Sequence, residues 1–370
     1  MSDEKQAERR PEPRGAQWLP DVTTTVLAIV MALVVGAVLI VATSGPGELW
    51  SSYHALFKGG FGGPSAIGGT LVRAAPLICA ALGVTLAFRA GLFNIGAQGQ
   101  IAAGALCAIY VAFHFDLPGI IHVPFVLVAG AAGGALYGLI PGLLKARTGA
   151  HEVITTIMLN NIATRALVPF VLGLATFQRP GSDELLTPVP RDSARFWSIG
   201  NMHVGVVLTL LAALGVWWLI ERSRLGFELR AVGANPDAAR TAGMSVARVT
   251  MVAMVLAGAL AGLGATMNIM GKGEPISDTA FGSIGFDAIT VALLGRGTPL
   301  GTVLAGILFA GLSEGGSQMQ IDVGTPSELA SVIQALIVLF VAAPTLVRGL
   351  ARLKDRSAGS GEVLAKGWGA

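Results

Sequence analysis

The side chains of this 370-residue chain that are able to do chemistry are amides, hydroxyls and a few isolated charges set inside apolar sequence. Asn94, Gln98 and Gln100 stand together in Phe88-Arg-Ala-Gly-Leu-Phe-Asn-Ile-Gly-Ala-Gln-Gly-Gln100. Thr156, Asn160 and Asn161 occupy a second apolar run, with Arg165 close behind, and Asn268 and Glu314 sit in two others. Such groups form hydrogen bonds and do not break covalent bonds. Two roles are open to them: tying helices together, or lining a polar path. The chain has no Gly-x-x-x-x-Gly-Lys-Ser/Thr phosphate loop, since Gly271-Lys272 is followed by Gly273. His151-Glu152-Val-Ile-Thr155 lacks the second histidine of a zinc helix. With five scattered histidines and no nucleophile–base pair, no catalytic residue and no metal ligand is assigned.

The elements that carry these groups follow from composition. Hydrophobic residues make up 53% of the chain and charged residues 13%, against about 25% charged in a soluble domain. Fifty glycines suit helices that pack closely in a membrane. The expected class is an all-α polytopic membrane protein. A net charge of +3 gives no basis for binding nucleic acid. Cys79 and Cys107 lie within apolar runs and read as small buried residues. The polar start, Met1-Ser-Asp-Glu-Lys5, lacks the layout of a cleaved signal.

Thr24 to Ser44 is uninterrupted apolar sequence, about 30 Å long as a helix and long enough to span a bilayer core. Similar runs fall near 66–88, 95–113, 123–144, 153–174, 203–220, 248–270, 283–295, 300–316 and 328–347. That makes about ten transmembrane helices, with 283–295 short enough to be tilted or broken. Of 25 Lys and Arg residues, only Lys58, Arg179, Arg191, Arg195 and Lys272 fall outside when the N-terminus is placed inside, while Arg73 and Arg165 lie within spans. This bias puts both termini in the cytoplasm and requires an even number of spans, which eight would also satisfy. Trp50, Trp197, Trp217 and Trp218 lie near span ends, as interfacial anchors do. The expected organisation is a cytoplasmic tail at 1–22, a membrane domain at 23–350 with a cytoplasmic loop at 221–247, and a second cytoplasmic tail at 351–370. The external loop 175–202 is either a contact surface or a solvated connection.

Within the spans, Thr156 and Asn160 are four apart and share a helix face. Arg165 has three options: facing a path, pairing internally, or snorkelling outward. Asn268, Glu314 and Gln318 lie toward the outer ends of their spans. The stretch Arg89…Gly96-Ala-Gln-Gly99 has a weak echo in Arg296…Pro299-Leu-Gly301, compatible with an internal repeat.

The loop at 221–247 contains Asn235-Pro-Asp-Ala-Ala-Arg-Thr-Ala-Gly243. Asn235 is a strong N-cap, Pro236 fits the first helical position, and Asp237 suits the positive helix end. Ala238, Ala239 and Ala242 are small and neighbouring, and Gly243 can stop the helix. A capped helix of about two turns follows. It is either a plain connector or a docking helix for a cytosolic groove.

Asp237-Ala-Ala-x-x-x-Gly243 resembles the start of the Glu-Ala-Ala-x-x-x-Gly loop of ABC importer permeases, with Asp for Glu. Phe88–Gln100, His151–Asn161 and Val291-Ala-Leu-Leu-Gly-Arg-Gly-Thr-Pro-Leu-Gly301 are similar to the nucleoside and simple-sugar permeases of the branched-chain amino acid and ribose permease superfamily. The resemblance covers residues 24–350. His151 departs from it, standing where the family more often has Asn. The resemblance implies a non-enzymatic permease subunit of an ATP-driven importer in a bacterial cytoplasmic (inner) membrane, moving nucleosides or related sugars by alternating access. It implies three protein partners: a cytosolic ABC ATPase, a second permease (a different chain, or a second copy of this one) and an external substrate-binding lipoprotein. Membrane lipid surrounds the chain. It would bind no cofactor, ATP being used by the ATPase. Asn235, Asp237, Ala238, Ala239 and Gly243 would couple to that ATPase. Asn94, Gln98, Gln100, Thr156, Asn160, Asn161, Arg165, Asn268 and Glu314 would line the substrate path. The competing class is an ion-coupled secondary transporter, for which Glu152, Asp287 and Glu314 are the candidate carboxylates.

Overall fold

The computed structural model describes residues 18–181, 184–277, 280 and 282–342. Apart from its first helix, which begins at Trp18, the tail expected at 1–22 lies outside the described residues, as does the tail at 351–370. The helices are α1 (Trp18–Ser44), α2 (Leu49–Phe61), α3 (Pro64–Arg89), α4 (Ala97–His114), α5 (Gly119–Thr148), α6 (Glu152–Ile162) and α7 (Val168–Leu172). They continue as α8 (Gly205–Arg222), α9 (Arg224–Ala234), α10 (Pro236–Thr241), α11 (Val246–Lys272), α12 (Ile284–Leu294), α13 (Pro299–Val323) and α14 (Glu328–Ala342). A π-helical segment, Ala163–Leu167, joins α6 to α7. The described strands, Ser198–Ile199 (β1) and Met202–His203 (β2), form one antiparallel hairpin.

The class is all-α and polytopic. Among the described residues, seven helices are long and apolar enough to cross a membrane: Val26–Ser44, Pro64–Arg89, Gly119–Thr148, Glu152–Leu172, Gly205–Arg222, Val246–Lys272 and Pro299–Val323. Three of the ten expected spans differ, each for its own reason. The 18 residues of α4 include Gln98, Gln100, His114 and two glycines, which dilute its hydropathy. Most of α4 is buried among other helices and so needs little affinity for lipid. The 11 residues of α12 are about 16 Å long, half of a ~30 Å hydrocarbon core. The last, α14, is described for only 15 residues.

Two compact units form: one holds α1 and α14, the other residues 50–327. In the larger, α3 is the buried axis, with every residue from Ala74 to Ala87 inaccessible. Beside it α11 packs against α4 and α5, and these three helices meet along glycines. A Cβ on Gly134 would strike the Gly258 carbonyl, one on Gly262 the Gly130 carbonyl, and one on Gly104 the backbone of Gly262. With no side chains between them the backbones touch, as membrane helices do where dispersion replaces the hydrophobic effect. Cys79 is buried as expected, but Cys107 is exposed, its sulfur lying at the edge of the contact with Gly133 of α5.

The loop expected at 175–202 is pinned to the bundle. Thr187 N donates to Ile276 O (3.1 Å), Arg191 N to Ala112 O (3.0 Å) and Phe196 N to Met270 O (3.1 Å). His122, wholly buried, lies 2.8 Å from Ser193 Oγ. The hairpin's His203 stacks on Phe196, with centroids 5.3 Å apart, and burial pushes its pKa down.

Candidate functional site

Most of the expected functional residues fall in two places: a polar knot within the bundle, and the α9–α10 surface at one end.

The knot forms where the chain leaves α3. After Arg89 it turns through Gly91 (φ 72°) and stays non-helical to Ile95 before α4 begins. An irregular backbone among helices leaves peptide groups that need partners. Asn94 Oδ1 accepts from Gly96 N (2.8 Å), and Asn94 Nδ2 donates to Gln100 Oε1 (3.2 Å). Asn160 reaches across from α6: its Oδ1 accepts from Gly99 N (2.8 Å) and its Nδ2 donates to Ile95 O (2.6 Å). Thr156, one turn before, packs against Gly96 and donates to Glu152 O (2.7 Å).

Gln98 serves a second break. Its Nε2 donates to Gly282 O (2.9 Å) and its Oε1 accepts from Gly285 N (2.8 Å). Those two groups open α12, the half-length helix. One amide therefore joins the start of α4 to the start of α12. Asn94, Gln98, Gln100, Thr156 and Asn160 are all buried. Only Gln100 Nε2 is left without a partner among them.

The remaining expected path residues lie apart from the knot. Asn161 and Arg165 are exposed and four apart, on the face of α6 and the π segment that also shows Ile154, Met158 and Ile162. Asn268 is half-buried in α11. Glu314 lies within α13, which runs on to Val323, so it is further from the helix end than the expected span 300–316 implied. It pairs with Arg73 of α3 (3.4 Å), and Arg73 Nη1 donates to Ser313 Oγ (2.8 Å). Sequence reading passed over Arg73 as a site residue; its position inside an apolar span was the signal. The other two carboxylates also have partners. Glu152 accepts from Lys145 Nζ at 2.5 Å, and Asp287 from Ser283 Oγ at 2.8 Å.

At the α9–α10 end, Asn235 Oδ1 accepts from Asp237 N and Ala238 N, both at 3.0 Å. Pro236 opens the helix and Asp237 pairs with Arg240 at 2.9 Å. Gly243 follows with φ 85°, a conformation that suits glycine. Asp237, Ala238 and Ala242 are exposed, but Ala239 is not. Ala239 packs in a cluster with Leu229, Val232, Leu92 and Val249. The three neighbouring alanines therefore do not share one exposure: Ala239 anchors α10 to its own protein, because helical phase turns it inward.

The preceding helix α9 was not expected, although its signals were present. Ser223 Oγ caps Gly226 N (2.9 Å), and Leu225, Leu229 and Val232 follow at helical spacing toward the core. Gly233 of α9 abuts Arg89 and Gly91 so closely that a Cβ would overlap their backbone. Arg89 Nε in turn donates to Gly297 O at 2.6 Å. The α9–α10 unit is thus seated on the end of α3, which Arg89 ties to the α12–α13 turn.

A bundle of membrane-length helices with buried polar joints and an anchored short helix at one end is the class of protein these observations define. The chain matches the family described as branched-chain amino acid transport system / permease component over residues 66–342. It belongs to that family and is a multi-pass membrane permease, not an enzyme. It is 41% identical over 337 residues to the guanosine ABC transporter permease protein NupP of Bacillus subtilis, covering 90% of this chain and 96% of that one. It is 35% identical over 345 residues to the nucleoside ABC transporter permease protein NupB of Lactococcus lactis, covering 88% and 92%. It is also 35% identical over 331 residues to the glucose ABC transporter permease protein TsgB13 of Haloferax volcanii, covering 86% of each. No solved structure matches the chain.

Proposed function

We propose that this permease carries nucleosides inward across a bacterial cytoplasmic membrane, as one subunit of an ATP-driven ABC importer. The observation that carries the substrate class is the 41% identity to a guanosine permease across nearly the whole of both chains. Related simple sugars are the next class, on the 35% identity to a glucose permease.

Ten crossings with both termini inside is the topology we favour. Contacts between loops support it, since each joins segments that this topology puts on the same side. Arg89 meets Gly297 and Gly91 meets Gly233 inside. Arg191 meets Ala112 and Phe196 meets Met270 outside, as do Asn201 and Ser65. On this reading α4 and α14 cross as shorter helices and α12 crosses partway.

The α9–α10 unit would take the push of a cytosolic ATPase through Asp237, Ala238, Ala242 and the exposed Phe227. Ala239 would hold it to the bundle, with Asn235 and Gly243 setting its two ends. Force would pass through the Gly233 seat to the ends of α3 and α13. The exposed Asn161 and Arg165 are polar in a membrane span, where such groups face water or protein rather than lipid. They are therefore the stronger path candidates on α6, while the knot sets the helices around them. A second permease and an external binding lipoprotein would complete the assembly. No cofactor is assigned to this chain, ATP being spent by the ATPase.

The test is uptake of labelled guanosine, adenosine and glucose by cells producing the chain with its ATPase, second permease and binding protein. ATP-dependent uptake of nucleosides is expected. Uptake of glucose alone would overturn the substrate class, and uptake by this chain under a proton gradient without the ATPase would overturn the mechanism. Ala238→Trp, on the exposed face of α10, should abolish ATPase recruitment while the permease stays in the membrane. Normal recruitment would remove α10 from the coupling role.

A further inference from the structure

One charged cluster in the larger unit lies outside both places described above. Arg73 of α3 and Glu314 of α13 pair across two helices that are long and apolar enough to span the membrane. Each is nine residues from its helix terminus at Pro64 or Val323, about 14 Å along the axis. At that depth the side chains are still 45% and 38% accessible. Charges exposed inside a span face water or protein, not hydrocarbon.

The cluster is the lower end of a longer polar track. On α13, Glu314, Gln318 and Asp322 recur every four residues and share one face, with Gln318 Nε2 donating to Asp322 Oδ1 (2.7 Å). On α3, Ser65, Gly69 and Arg73 recur at the same interval. Ser65 is bonded by Asn201. A Cβ at Gly69 would lie 3.3 Å from Glu314 Oε1, so its absence opens space above the carboxylate. The track ends where α12 ends. From the contact of Gly295 with Thr302, the 11 residues of α12 rise about 16 Å, while Glu314 is about 18 Å up α13 from Thr302. The half-length helix gives out at the level of the ion pair.

We propose that this track between α3 and α13 is a solute site, with Arg73, Ser313 and Glu314 as its contact residues. The pair has no net charge, so it neither concentrates nor repels ions. It offers guanidinium donors beside carboxylate and hydroxyl acceptors, which match a neutral solute with adjacent donors and acceptors, such as a nucleoside base edge or ribose hydroxyls. The site deepens the nucleoside-permease reading and rests on it for the identity of the solute.

Accessibility tests the site directly. In a Cys107→Ser background, Ser65→Cys and Gln318→Cys are introduced separately in the complete transporter in intact cells. A membrane-impermeant sulfonate thiol reagent should label both, and saturating guanosine should slow labelling of Gln318→Cys at least five-fold. Arg73→Gln and Glu314→Gln should each raise the KM for guanosine uptake at least ten-fold without changing ATPase recruitment. The exchanged pair Arg73→Glu/Glu314→Arg should assemble normally yet keep the raised KM. Absence of external labelling would show the face to be covered by the second permease and would overturn the site. So would labelling that no transported solute slows, or a normal KM in the exchanged pair. If the wild type moves glucose and not guanosine, the substrate reading falls. Protection by glucose in the same assay then decides the site on its own.

Discussion

Asn160 and Asn161 are neighbours in sequence and opposites in use. Asn160 is buried and spends its amide on Gly99 N and Ile95 O. Asn161 is exposed and, among the described residues, bonds its own helix, at Ile157 O. The same contrast separates the knot at 94–100 from the Arg73–Glu314 track. In the knot almost every polar atom has a protein partner, and in the track charged groups remain half accessible. Polarity within an apolar segment therefore does not mark a path. A buried amide that satisfies broken backbone is a joint, and an accessible one is available to a solute.

The largest effect expected on the joint side is at the glycines beneath it. Gly258→Leu should cost about 3 kcal/mol or more, because the Gly134 backbone cannot move aside. No folded protein is then expected in size-exclusion chromatography after detergent extraction. Gln98→Ala comes next. It leaves Gly282 O and Gly285 N unpaired, at about 1–3 kcal/mol each, and should lower the melting temperature clearly. Asn161→Ala should move stability by no more than about 0.5 kcal/mol and yet reduce uptake. If Gln98→Ala melted like wild type, or Asn161→Ala melted lower than Gln98→Ala, the division between joint and path would fail.

A smaller effect belongs to the α10 cap. Asn235→Ala removes the acceptor for two helix donors and should cost about 1 kcal/mol, seen as faster amide exchange over 237–241 with no change in global melting. The smallest concerns His203. Burial holds its folded pKa below the unfolded value, so the fold favours the neutral ring. That preference costs nothing above the unfolded pKa of about 6.5; as pH falls below it, the unfolded chain takes up the proton first and the hairpin loses stability. Amide protection factors around 196–204, taken against the intrinsic exchange rate at each pH, should fall from pH 7.5 to 5.5, and His203→Phe should remove most of that change.

What sequence disclosed depended on how far a residue's partners lie along the chain. The Asn235 cap was legible because donor and acceptor are two and three residues apart. The short α12 was legible because length alone limits a helix. The use of Gln98 was not, since its partner Gly282 is 184 residues away. Arg73 and Ser313 are 240 apart, and nothing local to either names the other. The inward turn of Ala239 was not legible, because cap chemistry fixes where a helix starts but not how it is rotated against its neighbours. The helix α9 was missed despite Ser223, because its apolar spacing is masked by Arg224, Glu228 and Arg230.

The glycine contacts among α4, α5 and α11 bear on how such a bundle can move. Bundles that interlock side chains absorb strain by switching rotamers, one residue at a time. Where backbone lies on backbone there is nothing to switch. These three helices would have to travel as a single block. Bending would then fall to chain links outside the block, such as the turn at Arg296 (φ 53°) and Gly297 (φ 62°). A spin-label pair placed across the glycine contacts should keep one distance through the ATP cycle, while a pair placed across that turn should not.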